Sequence, residues 1–306
     1  MSPLPAPAGE QDALVPFVFE HASVRGAVVD LCATTRDILA SHPYPRPLAD
    51  ALAELCAASA LLASSLKLDG SLVVQLSGNG PVRLVVVECN DALQLRATAQ
   101  WDPGRVAALP EDAALVDLAG GAAGGRLALT LDPRNAGVLY QGIVSLAATS
   151  IPASIEHYLE TSEQLRSRLW LFAKEPRVRG LLLQRLPGDD AGAAAWDRLC
   201  AMSDSTVECA LSRTTFAQRL RELFPHDDIR MFDARAVTFA CKCSLARVAN
   251  ALRIAGRDEI EAALAERGAV EVTCEFCNRR YTFDPAEARA LLASPSAATL
   301  RASRSA

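Results

Sequence analysis

Apolar and polar positions along this chain change period several times, and each change marks an element. "FVFEHASVRGAVVD" at 17–30 is rich in Val and Phe and predicts a strand, with Gly26 inside it pointing to a close backbone approach. Helical spacing follows near 31–41 and 47–66, interrupted by "SHPYPRP", whose prolines break the run. The period then falls to two. "SLVVQLSGNGPVRLVVVE" predicts two strands joined at Asn79-Gly80, a pair that accepts the positive φ a tight hairpin needs. "ALQLRATAQW" extends the meander, and "GRLALTLDPRNAGVLYQGIVSL" predicts a second hairpin around Asp132-Pro133. "SIEHYLETSEQLRSRLWLFAKE" opens as a helix and ends as a strand, and "RGLLLQRLP" predicts a last strand.

These elements predict an α+β protein. An N-terminal antiparallel-sheet domain with packed helices spans 15–187, after a Pro- and Ala-rich segment, 1–14, expected to be disordered. "LPGDDAGAAAWDRL" marks a boundary, and 188–228 is expected to be a helical linker. Its short helices, "AWDRLCAMS", "TVECALS" and "TTFAQRLRELF", carry Leu199, Val207, Leu211, Phe216, Leu220 and Phe224 at helical spacing. Helices this short need a surface to dock on. A small C-terminal α+β module follows at 229–285, then 286–306, which opens with helical character and dissolves into an Ala/Ser/Arg tail expected to be mostly disordered.

Composition narrows the function. The chain of 306 residues is half hydrophobic and carries a net charge of −5, which argues against a general electrostatic hold on nucleic acid or an anionic membrane. The N-terminus lacks the pattern of a signal peptide, and the longest apolar stretch, around "ALAELCAASALLASSL", reads as too short and too amphipathic to span a bilayer. A cytoplasmic protein is expected, in a compartment that keeps thiols reduced. Nine cysteines, an odd number, cannot all pair within one chain.

Four of the nine are clustered. Cys241 and Cys243 form a C-x-C pair and, after thirty intervening residues, Cys274 and Cys277 form a C-x-x-C pair. A tight turn presents the two sulfurs of C-x-x-C to one ion, and residues two apart on an extended chain do the same for C-x-C. Four thiolates complete a tetrahedral shell that favours Zn²⁺. Between the pairs, Ser244 is placed to cap a helix with Leu245, Val248, Ala249 and Leu252 on its apolar face, ending before Gly256. A second helix runs from about Asp258 to Arg267 and stops at Gly268, and "AVEVTCEFCNRRYTF" predicts strand, knuckle, strand. A core this small leans on a metal for folding energy. Cys32, Cys56 and Cys89 sit in apolar periodic segments and read as packing residues, as do Cys200 and Cys209 in the linker. His226 reads as an exposed loop residue beside a site already supplied with four sulfurs.

With these residues in place, the chain resembles the Hsp33 family of redox-regulated chaperones. The C-x-C and C-x-x-C pairs match that family's zinc signature, and "FEHASVRG", "HPYPRPLADALAELCAASALLASSLKLDG", "VQLSGNGPVRLVVVE", "YQGIVSL" and "YLETSEQLRSRLWL" resemble its segments in the same order, from about Phe17 to Phe283. The resemblance implies an ATP-independent holdase, a binding protein rather than an enzyme. It implies one zinc per chain on Cys241, Cys243, Cys274 and Cys277 in a reduced, quiet form. Hypochlorite, or peroxide with heat, is then expected to form disulfides between near neighbours, Cys241–Cys243 and Cys274–Cys277, expelling zinc and unfolding the module and linker. The activated homodimer would hold unfolding, aggregation-prone proteins, with Leu199, Leu220 and Phe224 among the residues uncovered. Cys200 and Cys209 lie outside the pattern.

Two other readings are set against this one. A thiol–disulfide oxidoreductase using Cys274 and Cys277 needs its C-x-x-C at a helix start after a strand, and leaves the second pair unexplained. A zinc-ribbon nucleic-acid binder using Arg279-Arg280 is disfavoured because residues 230–290 hold ten Arg/Lys against nine Asp/Glu, a net 10 − 9 = +1.

Overall fold

The computed structural model of the protein describes residues 12–66, 69–121, 124–134, 139–146, 150–174, 176–187 and 190–293. Two compact units divide between Ala240 and Cys241. In the first, β1 (Ala13–Phe19) and β2 (Val24–Leu31) precede helices α1 (Ala33–Leu39) and α2 (Arg46–Ser65). A meander of β3 (Gly70–Ser77), β4 (Val82–Asn90) and β5 (Gln94–Trp101) leads through the short α3 (Pro103–Ala107) and α4 (Leu115–Leu118) to β6 (Arg126–Pro133) and β7 (Tyr140–Ser145). Helix α5 (Ile151–Ser162), strands β8 (Ser167–Lys174) and β9 (Arg177–Arg185), and helices α6 (Asp190–Leu211) and α7 (Phe216–Leu223) follow. Three short strands, β10 (Ile229–Met231), β11 (Arg235–Ala236) and β12 (Thr238–Phe239), complete the unit.

These strands form two six-stranded sheets. One runs β10-β1-β2-β9-β8, with β11 also on β1, and the other β12-β5-β4-β3-β6-β7. Pairing is antiparallel except for β12 on β5. Helix α2 lies in the core that the two sheets share, where Leu48, Leu52, Leu55, Leu61 and Leu62 pack with Val29 and Leu182 of the first sheet and Leu72, Val74 and Val87 of the second. The second sheet buries one face only, so β3 alternates buried Leu72, Val74 and Leu76 with part-exposed neighbours.

The first sheet is buried on both faces. On β2, Ala27, Val29 and Leu31 face α2, whereas Val24 and Val28 join Leu181, Leu183, Phe17, Phe19 and Trp170 on the opposite side. That side is covered by α6 and α7 through Trp196, Leu199, Val207, Leu211, Leu220, Leu223 and Phe224. Opposite Phe17 stands Gly26, where a Cβ would come within 2.3 Å of the ring, so the expected close approach at Gly26 is met by an aromatic side chain. Phe17 also neighbours Phe224, with centroids 6.4 Å apart, and Phe19 meets Phe224 edge-on at 5.0 Å.

An ion cluster fastens α7 to the same sheet. The Asp30 carboxylate on β2 receives the buried guanidinium of Arg219 together with Arg177 at 3.3 Å and Arg179 at 3.2 Å. Thr215 and Gln218 close a capping box at the start of α7, and the Arg219 guanidinium stacks over Phe216.

Several expectations are corrected. The stretch 17–30 is two strands, because residues 20–23 form a turn and β1 folds back on β2. Asp12, Ala13 and Leu14, inside the segment expected to be disordered, have a fixed place: Ala13 and Leu14 open β1, and the Asp12 carboxylate accepts from the backbone N–H of Cys32 at 2.7 Å and Ala33 at 3.1 Å and so caps α1. The first two linker helices are one continuous α6, and the surface on which α6 and α7 dock is the first sheet. The strand at 177–185 is not the last of the unit. Because β10, β11 and β12 hydrogen-bond to β1 and β5, the boundary falls at Ala240/Cys241, twelve residues later than 228/229. Helix α2 is long and apolar enough to cross a bilayer, and its burial between the sheets accounts for that composition.

The second unit comprises α8 (Leu245–Ala255), α9 (Arg257–Arg267), β13 (Val270–Thr273), β14 (Arg280–Phe283) and α10 (Pro285–Ala293). Ser244 caps α8, and Gly268 ends α9 in the left-handed conformation at φ 72°. Its core is small: Val248, Ala249, Ile260, Leu264, Val270, Phe283 and Ala288. Leu245, expected on the apolar face, is instead 59% exposed, since α8 turns that side away from the core. The tail expected from 286 starts as α10, whose Ala288 is fully buried; residues 294–306 and 1–11 lie outside the described residues.

Candidate metal centre

An extended segment and a turn bring the clustered cysteines together. Ser244 fixes the start of α8, leaving Cys241 and Cys243 in the extended segment just before it. β13 and β14 pair antiparallel from Val270↔Phe283 to Thr273↔Arg280, and the knuckle between them holds Cys274 and Cys277. Asn278 takes a positive φ of 54° there, Asn278 N–H donates to the Cys274 carbonyl at 2.8 Å, and Cys274 N–H donates to the Arg279 carbonyl at 2.9 Å.

The four sulfurs lie within 4.8 Å of one another, all half-buried. Cys241 Sγ is 3.6 Å from Cys274 Sγ, and Cys243 Sγ is 3.4 Å from Cys277 Sγ. A tetrahedral zinc with Zn–S bonds of about 2.3 Å sets its sulfurs about 3.8 Å apart, so the spacing suits one four-thiolate ion. A disulfide needs about 2.05 Å, so the four are separate thiols as they stand. The surroundings also suit thiolates. Cys243 N–H donates to Cys241 Sγ, Arg279 N–H donates to Cys277 Sγ, and the Tyr281 hydroxyl donates to Cys243 Sγ at 3.1 Å. Burial raises the Cys243 thiol, but the hydrogen bonds from Tyr281 and the neighbouring cysteines outweigh it and bring it down to about 7. Burial pushes Cys277 up to about 12, with the adjacent thiols adding to it.

The other residues singled out in the sequence lie elsewhere. Leu199, Leu220 and Phe224 do come together, buried at 0%, 2% and 2% exposure beneath α6 and α7. His226 is exposed and outside the sulfur cluster. Cys32, Cys56 and Cys89 are buried, and burial pushes Cys89 up to about 12. Cys200 is buried and likewise raised to about 12, whereas Cys209 is exposed, with its sulfur 3.7 Å from a Glu222 oxygen. These two stand nine positions apart on α6, about 13.5 Å along the axis, beyond disulfide reach while the helix persists. The C-x-x-C occupies a strand–knuckle–strand, unlike the helix start a thioredoxin-type site requires. Arg280 pairs with Glu271 at 3.8 Å across the hairpin. Sequence reasoning missed Tyr281 and the Asp30–Arg219 cluster; the R-x-Y spacing after Cys277 was a signal for the first.

Comparisons with known proteins agree along the whole of this framework. A family model described as Hsp33 protein matches residues 12–284. A 33 kDa chaperonin from Methylobacillus flagellatus is 38% identical over 283 residues, covering 92% of this chain and 94% of its own. One from Shewanella oneidensis is 40% identical over 288 residues, covering 94% and 98%. The crystal structure of the 33 kDa chaperonin (heat shock protein 33 homolog) from Thermotoga maritima aligns with a TM-score of 0.76 at 20% identity, over 93% of this chain and 98% of its own, a likeness of fold. The match from Asp12 to Asp284 and the length-spanning identity to these relatives place this chain in the Hsp33 family of chaperones.

Proposed function

We propose that this protein is a redox-regulated, ATP-independent holdase of the cytoplasm that binds unfolding proteins and performs no catalysis. The observation that carries the reading is the gathering of four sulfurs at tetrahedral spacing in a module with so small a core. Cys241, Cys243, Cys274 and Cys277 would hold one zinc, which supplies a cross-link between the two halves of the module. Structural zinc is worth about 10–16 kcal/mol in small peptides, as much as the about 5–15 kcal/mol that stabilises whole domains. The module therefore folds on its thiolates.

Oxidation removes those ligands. Two thiolates and one hypochlorous acid give one disulfide, a chloride and a hydroxide, the sulfurs losing two electrons. Cys241–Cys243 and Cys274–Cys277 are the pairs proposed, because once the module opens the partners within each motif remain neighbours, while partners across motifs must close a loop of some thirty residues. Cys241 follows Ala240 directly, and β12, β11 and β10 lead back to α7 through strands of two, two and three residues. Strands so short have little hold of their own once the chain beyond them is loose. Release of α7 and α6 from the first sheet would uncover Leu199, Leu220 and Phe224, the apolar surface a holdase needs. The activated form is proposed to be a homodimer that engages neither nucleic acid nor membrane.

The test is suppression of light scattering from a heat-unfolding client by zinc-loaded protein, before and after hypochlorite. The reading requires protection to appear on oxidation and to reverse with reductant and zinc. Equal protection in both states would sink the switch.

A further inference from the structure

The C-x-x-C knuckle continues into an R-x-Y sequence, Arg279-Arg280-Tyr281. Tyr281 lies on β14 and Arg279 just before it, while Arg280 between them reaches Glu271 across the hairpin. The Tyr281 hydroxyl donates to Cys243 Sγ at 3.1 Å, and the Arg279 guanidinium lies near enough to the same hydroxyl to act on it electrostatically. A positive charge is thereby linked through one hydroxyl to one sulfur of the cluster. Backbone amides serve Cys241 and Cys277, but Cys243 is served by a side chain, so a single substitution can strip its donor.

We propose that Arg279 and Tyr281 form a donor relay that positions the Cys243 sulfur and slows its loss to an oxidant. The inference rests on the four-thiolate zinc reading above. A zinc ion with four thiolates carries a net charge of −2, concentrated on sulfur. A hydrogen bond from a hydroxyl that is itself polarised by a guanidinium draws that charge away. The sulfur becomes a weaker nucleophile toward peroxide and is held in the direction the ion requires. Partners of metal ligands act in this way elsewhere, and losing one costs ~10-fold or more in metal affinity. The reaction being slowed consumes two thiolates and one hydrogen peroxide and yields one disulfide and two hydroxide ions. Tyr281 and Arg279 are positioning residues, and neither is consumed.

The experiment compares full-length, zinc-loaded wild type with Tyr281→Phe, which keeps the ring and removes the donor. Val272→Ala serves as the packing control, because Val272 is the cross-strand partner of Tyr281 and its apolar side chain has no hydrogen-bond donor of its own to lose. Zinc loss to a chromogenic chelator is followed with and without peroxide, and mass mapping after brief iodoacetamide treatment gives the order in which the cysteines react. In Tyr281→Phe, zinc retention is expected to fall ~10-fold, peroxide-driven release to quicken, and Cys243 to become the first of the four cysteines alkylated. Arg279→Met shifts the same readouts in the same direction by less, and Val272→Ala leaves the order of alkylation unchanged. Identical release rates and alkylation order in wild type and Tyr281→Phe would overturn the relay while leaving the zinc site standing. A wild type that retains no zinc, and gives no thiolate-to-metal absorption with cobalt, would overturn the metal reading and the relay with it.

Discussion

Phe224→Ala should loosen the α6–α7 layer without any oxidant. Phe224 is 2% exposed, stands edge-on to Phe19 at 5.0 Å and neighbours Phe17 at 6.4 Å, so it joins the end of α7 to β1. Truncating a buried Phe costs about 3–5 kcal/mol, including the cavity left where the site cannot collapse. Collapse is limited here, because Phe17 is already seated over Gly26 and Phe19 is held by its strand. Arg219 on Asp30 and Arg198 on Asp227 at 2.9 Å remain, so α7 should open more often rather than depart for good. At 1.4 kcal/mol per factor of ten, the amides of α6 and α7 should exchange roughly 100- to 4000-fold faster. Hydrogen exchange by mass spectrometry on reduced, zinc-loaded protein reads this region by region, and client scattering shows whether the opened layer holds substrate. Protection unchanged in α6 and α7, or lost equally from β3 and β6, would mean that Phe224 does not govern a local opening.

Asp30→Asn should cost about 3–5 kcal/mol in urea unfolding, because it leaves the buried Arg219 without its counter-charge; the double variant with Arg219→Met should recover part of that loss. Burial, and to a lesser degree Asp50, raises the Glu54 carboxyl from 4.5 to about 7. The folded state therefore binds this proton more tightly, a contribution complete below pH 4.5 and lost by about pH 7, so wild-type stability should fall across that window relative to Glu54→Gln, and parallel pH profiles would refute it. Chelation of zinc under reducing conditions should abolish exchange protection from Leu245 to Ala293 while β2 and β9 keep theirs. Mapping with a limiting alkylating reagent should find Cys209 labelled well ahead of Cys200, Cys56 and Cys89, since Cys209 alone of these is exposed.

What the sequence made legible was local. The Ser244 cap and the Gly268 stop each act within a few residues and form where their signals stand, and β3 and β4 do pair on either side of Asn79-Gly80, but through a wider loop, 78–81, in which neither Asn79 nor Gly80 takes a positive φ. Distant partners were hidden. Helix α1 has no cap of its own because Asp12, twenty residues upstream of Cys32, supplies one, and nothing local reveals that. Helix α6 reads as broken at Ser203–Thr206, yet Ser203 bonds back to the Leu199 carbonyl, Ser205 and Thr206 to that of Met202, and Asp204 reaches the indole N–H of Trp170 at 2.8 Å. The polar run is absorbed by the helix and by the sheet it packs on. The second unit was the more legible of the two, since its four cysteines are bound to short turns whose spacing shows in the chain. The contact of Cys243 with Tyr281 was not, because the two stand 38 residues apart and meet only once the unit is folded.

The central claim is that losing the four-thiolate site uncovers the apolar face under α6 and α7. Zinc release and regional hydrogen exchange, followed together through hypochlorite treatment, test it directly. Protection at Leu199, Leu220 and Phe224 should vanish in step with zinc leaving, while β2 and β9 stay protected. Client holding by a protein whose zinc has gone and whose α6 and α7 remain fully protected would contradict it.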